Sequence, residues 1–123
     1  MVSISALPIG WSGPRWIAPV VDGLGLAPMA VCANGAVIYD PATDRIISAH
    51  TLSADVLGEL AEIATRVIPG AGLAVERVGS SAHDAATPQF VSSPGYEHAW
   101  LNPDNTEVSV EDLLSAPAVK LLI

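Results

Sequence analysis

Apolar side chains recur every three or four residues through positions 53–68, a spacing that predicts the best helix in the chain. Val56, Leu60, Ile63, Ala64 and Val67 make one apolar stripe, and Asp55, Glu59, Glu62 and Arg66 face outward, the pattern of a helix lying on one face of a sheet. Ser53 is placed to cap it, Asp55 sits in the first turn where the helix dipole favours a carboxylate, and Leu52 can staple onto Leu57. Pro69-Gly70 stops it. Near the start of the chain Pro14 can open another helix, because the missing N–H costs nothing in a first turn, and Trp16, Ile17, Val20, Val21 and Leu24 follow at helical spacing. Pro19 removes a donor and crowds the carbonyl four residues earlier, so this helix is predicted to be short or kinked and to end by Gly25.

The remaining apolar runs are short and read as strands. Residues 2–7 and 29–33 are two of them, the second bounded by Pro28 and Asn34-Gly35. Residues 36–39 and 45–49 flank Asp40-Pro41-Ala42-Thr43-Asp44, where Pro41 presets its own φ and the aspartates can bond nearby amides, so 36–50 is a predicted hairpin. Residues 73–78 form a further strand, and Gly79-Ser80-Ser81 turns the chain into a partner strand over 82–86. Pro88, Pro94, Gly95 and Pro103 mark 87–107 as a long irregular excursion, of a length that usually has a function. A short helix opens at Ser109 or Val110 and stops before Pro117; 119–123 is a strand still apolar at its last residue, from which a chain that ends inside a domain is expected. These elements predict an α+β fold with a small, mainly antiparallel sheet and helices on one face.

Composition narrows the picture. The 123 residues are 50% hydrophobic and 15% charged, which excludes disorder and supplies one modest core. With three Trp, two Tyr and one Phe, that core is built from Ala, Val, Leu and Ile. Thirteen acidic against five basic side chains give a net charge of -8, which repels nucleic acid and anionic membrane surfaces. No Lys or Arg stands between Arg77 and Lys120, while Asp84, Glu97, Asp104, Glu107, Glu111 and Asp112 accumulate there as a solvated face. Cys32 alone forms neither an internal disulfide nor a thiolate metal cluster. The uncharged stretch 23–39 is broken by Pro28 and Asn34, and the first fourteen residues lack the basic start of a signal peptide, so a soluble cytoplasmic protein is expected.

Familiar catalytic patterns are absent. Gly10-Trp11-Ser12-Gly13-Pro14 has proline where a nucleophile elbow needs its second glycine. His50, His83 and His98 lack metal-ligand spacing, and Gly23-Leu24-Gly25-Leu26 follows a helix where a phosphate loop would follow a strand. Glu59 and Glu62 belong to the solvated face of their helix.

One ordered set of segments does carry a likeness. Pro14-Arg15-Trp16-Ile17-Ala18-Pro19-Val20-Val21 and Val31-Cys32-Ala33-Asn34-Gly35-Ala36-Val37-Ile38-Tyr39-Asp40 resemble the stretch after the second motif of Cof-type phosphatases in the haloacid dehalogenase superfamily. Leu73-Ala74-Val75-Glu76, Ala82-His83-Asp84, Glu111-Asp112-Leu113-Leu114 and Val119-Lys120-Leu121-Leu122 fall in the order and approximate spacing of that family's C2-type cap, so the likeness covers residues 14–123. The resemblance implies a piece of the family's core over 1–35 and a truncated cap over 36–123. It also implies hydrolysis of phosphate monoesters, with a small phosphorylated metabolite as partner and Mg2+ as the cofactor of a complete enzyme. The family's nucleophile and acid-base aspartates lie on a DxD motif that this sequence lacks, and its magnesium-binding Gly-Asp loop is missing too. No catalytic or metal-binding residue is therefore expected in this chain, and no bound cofactor.

The resemblance places Asn34 and Gly35 beside the phosphate site where the chain crosses toward the cap, although Asn-Gly is equally a tight turn in its own right. It places Ser12 at the phosphate-holding hydroxyl if one residue is skipped, and Glu76, His83 and Asp84 within reach of substrate hydroxyls. Lys120, alone in an apolar strand, is expected to pair with a carboxylate inside the sheet, since a buried unpaired amine is costly. The alternative reading is a non-enzymatic α+β module that binds a partner or forms a homodimer through exposed apolar sheet surface.

Overall fold

The computed structural model describes residues 13–25, 29–99 and 102–123. The chain divides into two compact units, one holding residues up to His50 with Val78–Thr87 and the other holding Thr51–Arg77 with Pro88–Ile123. No helix among the described residues is long and apolar enough to cross a membrane. The compact units part after His50, and the strand before residue 35 is hydrogen-bonded to the hairpin after it.

In the first unit a 3-10 turn, Pro14–Trp16, runs into helix α1, Ile17–Leu24. Pro19 is the third residue of α1, where the N–H has no intrahelical acceptor in any case, so the expected interruption becomes a junction between the two helix types. Arg15 is buried, with its guanidinium carbon 4.7 Å from the centre of the Trp16 ring. Gly25 closes α1 in the left-handed region at φ 66° and donates to the Val21 carbonyl. Strands β1 (Ala30–Cys32), β2 (Val37–Asp40) and β3 (Arg45–Ala49) form an antiparallel sheet in that order. Ala30, Cys32, Val37 and Tyr39 turn inward, while Ile38 alternates outward. The predicted turn forms as its chemistry dictates, with the Asp40 carboxylate accepting from the Ala42 N–H at 3.0 Å and the Thr43 hydroxyl at 2.8 Å.

The second unit opens with helix α2, Ala54–Val67, capped by the Ser53 hydroxyl, which accepts from the Val56 N–H. Strands β4 (Ala74–Glu76), β5 (Phe90–Ser92), β6 (Asn105–Glu107) and β7 (Lys120–Leu122) make a sheet in the order β6-β5-β4-β7, antiparallel except for the β5 and β6 pair. The short helix α3, Val110–Leu113, is capped by Ser109. Arg77 donates through Nη2 to the Asp112 and Leu113 carbonyls at the end of α3. Leu57, Ala61 and Ala64 of α2 and Leu113 of α3 pack on Val75 and Val91, the middle residues of β4 and β5, with Leu52 and Leu121 against the same cluster. Helices thus cover one face of this sheet, and the fold is α+β as the pattern predicts.

Three expectations are corrected. Residues 82–86 form turns, and β4 pairs instead with β5 and β7, since the carboxylate of Asp84 holds the 80–86 backbone in local bonds that a ladder would need. The excursion 87–107 contains two strands, each too short to show a period and fixed by pairing with distant residues. The buried stripe of α2 is Leu57, Ala61 and Ala64, which keeps Ala64 from the predicted stripe but is rotated from it by about a quarter turn, because small side chains let the helix approach the sheet closely. Val56, Leu60, Ile63 and Val67 stay exposed.

Candidate functional site

In the first unit the turn Ala33–Gly35 links β1 to β2. Ala33, Asn34 and Gly35 all take positive φ, at 51°, 55° and 95°. Glycine and asparagine tolerate that region; alanine carries a steric cost of about 1 kcal/mol, which buried contacts around Ala33 must offset. The result is a left-handed turn with Asn34 and Gly35 exposed at the end of β1, so the tight-turn reading of this pair describes its backbone.

The other candidates in this unit lie at 78–87. Asp84 accepts at Oδ2 from the Ser80 N–H and hydroxyl, both at 3.0 Å, and at Oδ1 from the Ala86 N–H at 2.9 Å. The Ser80 amide, then the Ala86 amide and the Ser80 hydroxyl, hold this carboxyl below its ordinary value. A Cβ on Gly79 would overlap the Asp84 carboxylate, which explains the glycine before the turn. His83 is exposed. The segment is fastened to the hairpin by Asp44, whose Oδ1 accepts from the Tyr39 hydroxyl at 2.8 Å and from the Ala82 N–H at 3.0 Å. Burial, then the bond to Asp44, keeps the Tyr39 hydroxyl protonated well above its usual range.

Glu76 and Lys120 belong to the second unit, on the sheet face turned away from α2 and α3. Strand register places Asn105, Phe90, Glu76 and Lys120 in one row across β6, β5, β4 and β7. Glu107, Ser92, Ala74 and Leu122 form the next row on that face. Lys120 therefore stands directly across the ladder from the buried Glu76, where the expected pairing would need it. Ser92 Oγ and Asn105 Oδ1 are buried without a hydrogen-bond partner. Tyr96 and His98 pack on Phe90 with ring centres 6.1 and 6.0 Å away and meet each other edge to face at 4.9 Å. Burial raises the Tyr96 hydroxyl above its ordinary value.

The predicted residues thus fall into two groups, with Asn34, Gly35, His83 and Asp84 in one unit and Glu76 and Lys120 in the other. Ser12 lies outside the described residues. Sequence reading missed Phe90, Ser92 and Asn105, because three-residue strands carry no alternation that reveals a shared face. On the helix side, a shallow groove of about 610 Å³ runs past Gly58, Ala61, Leu73, Val110 and Leu114, and it is mostly apolar. Among the described residues no three His, Cys, Asp or Glu side chains converge. A magnesium ion requires an octahedron of oxygens anchored by one or two carboxylates. Asp84 is engaged by its own turn and Glu76 faces Lys120, so these residues do not fit such a site.

A family model described as haloacid dehalogenase-like hydrolase matches residues 13–123. No curated protein and no solved structure gives a significant match.

Proposed function

Because the chain belongs to the haloacid dehalogenase-like hydrolase family, we propose that its second unit is the substrate-selecting cap of a Cof-like phosphatase and its first unit a piece of the catalytic core. On this reading the hairpin goes with the core piece and the cap begins near Thr51. The substrate is a small phosphorylated metabolite of the cytoplasm, and the groups that attack phosphorus and hold magnesium come from other polypeptide. The task of these residues is to bind and orient the leaving group and to keep water from it.

The observation that carries this reading is the chemistry of the sheet face without helices. A purely structural face would be apolar where it is buried, yet this one holds Glu76, Ser92 and Asn105 beside Phe90. Leaving Ser92 Oγ and Asn105 Oδ1 without partners costs about 1–3 kcal/mol each, a cost that hydroxyl groups of a ligand would remove. Glu76 adds an acceptor and Lys120 a cation across the ladder, and Tyr96 and His98, packed on the buried Phe90, add ring surface for a carbon skeleton.

The test uses the purified 123-residue chain with magnesium. No turnover of p-nitrophenyl phosphate is expected, and titration with a panel of hexose and pentose phosphates should shift the amide resonances of Phe90, Glu76, Asn105 and Lys120. Magnesium-dependent turnover absent from a mock purification, or shifts that avoid this row, would overturn the reading. Association through sheet surface has less support, since the large apolar side chains exposed on the three-stranded sheet are Ile38 and Ile47.

A further inference from the structure

The outer flank of α2 carries an apolar stripe that its own unit leaves uncovered. Val56, Leu60, Ile63 and Val67 keep 39%, 37%, 50% and 72% of their surface, and Ile68, one residue past the helix, keeps 53%. Together they expose on the order of 400 Å² of apolar surface, the size of the largest such patch on an ordinary monomer, which is often a functional one. The core does not need this flank, because Leu57, Ala61 and Ala64 already seat the helix on the sheet.

We propose that the stripe is a self-association surface on which a second copy of the chain lays its own α2 antiparallel, related by a two-fold axis. The first argument is spacing. The four side chains follow one another at intervals of four, three and four residues, which read the same in both directions. An antiparallel copy therefore meets the stripe in register, with Val56 opposite Val67 and Leu60 opposite Ile63, as a closed two-fold interface requires. The second argument is charge. Glu59 and Arg66 border the stripe on the side away from the core. In the same register each Glu59 comes within two residues of the level of the other copy's Arg66, about 3 Å along the axis, and symmetry makes the pair twice. A parallel two-fold pair would instead turn the flank carrying Glu59 and Arg66 toward the other copy's opposite flank, and this pairing would be lost. Antiparallel helix dipoles add to the preference. The stripe supplies about half the area per partner of a standard interface, so a weak, concentration-dependent dimer is expected.

Sedimentation velocity on the purified chain from roughly 1 to 500 μM tests this, with the mass expected to rise from 12.7 kDa toward twice that value. Ile63→Glu, at a half-exposed position, should raise the dissociation constant at least about tenfold with an unchanged circular dichroism spectrum and melting point. Arg66→Glu should weaken the dimer, and adding Glu59→Arg should restore it. Under mild oxidation a mixture of Val56→Cys and Val67→Cys chains should cross-link to each other, while Val56→Cys alone should not. A monomer at every concentration, open-ended association beyond two copies, a dimer indifferent to Ile63→Glu, or self-cross-linking of Val56→Cys would each overturn the proposal.

Discussion

Replacing Asp44 by alanine should be among the most damaging changes in the first unit, although the residue is exposed and lies in a turn. Its carboxylate takes two donors, the Tyr39 hydroxyl and the Ala82 N–H, and both belong to buried residues that would be left unsatisfied. Hydrogen bonds to a charged acceptor contribute about 1.5–3 kcal/mol each. Asp44 also holds φ at 51°, which alanine tolerates less well, so a loss of about 4 kcal/mol is expected in all. Against a total stability of about 5–15 kcal/mol that is a large share. Asp44→Asn keeps an acceptor and the backbone preference and should cost about 1 kcal/mol. Tyr39→Phe should cost about as much, and the Asp44→Asn, Tyr39→Phe cycle should show coupling of about 1 kcal/mol. Urea unfolding followed by circular dichroism gives all four values. The same bond predicts a pH dependence. With the folded hydroxyl held above its ordinary value of 10.0, its contribution is complete below that pH and is lost as the pH climbs past it, where the unfolded chain ionises first. Tyr39→Phe should flatten that alkaline decline, leaving the part due to Tyr96. An Asp44→Ala protein within about 0.5 kcal/mol of the parent would refute the view that this carboxylate fastens 78–87 to the hairpin.

Four other outcomes are expected. Gly72→Ala places a Cβ on the backbone of Gly95 and Tyr96 and should lower stability by about 3 kcal/mol in the same urea assay. Ser53→Ala removes the cap of α2 and should cost about 1 kcal/mol, seen as faster amide exchange in the first turn. In an acid titration by NMR the Ser80 and Ala86 amides should move together with a midpoint below 3.8, because the loop bonds formed by ionised Asp84 persist above that pH and are lost as the pH falls through its lowered value. Glu76→Gln and Lys120→Met should be coupled by about 1 kcal/mol or more in a double-mutant cycle; additivity would separate the two residues.

Local signals gave the best-read elements. Ser53 as cap, Pro69-Gly70 as stop, and the Asp40 to Asp44 turn act through atoms a few residues apart, and β3 falls on 45–49 as expected. What failed depends on partners far along the chain. Phe90, Ser92 and Asn105 share a face only because β4 and β6 lie on either side of β5, and nothing within three residues reports that. The phase of α2 was misread because larger Val, Leu and Ile outweigh Ala in any apolar count, whereas a close helix-to-sheet contact selects Ala61 and Ala64. Of the candidate site, Lys120 is legible as an isolated charge in an apolar run and Glu76 through the family resemblance. Their juxtaposition needed the register between β4 and β7.

The order in which strands leave the ribosome has a consequence of its own. β4 is one of the two inner strands of its sheet, and both its neighbours, at 90–92 and 120–122, are translated after it. The Ala82 amide likewise follows Asp44 by 38 positions, with all of α2 made in between. A nascent chain paused near Arg77 therefore presents a strand with two bare edges and a hairpin without its anchor, the kind of intermediate that chaperones recognise and that aggregates when synthesis outruns them.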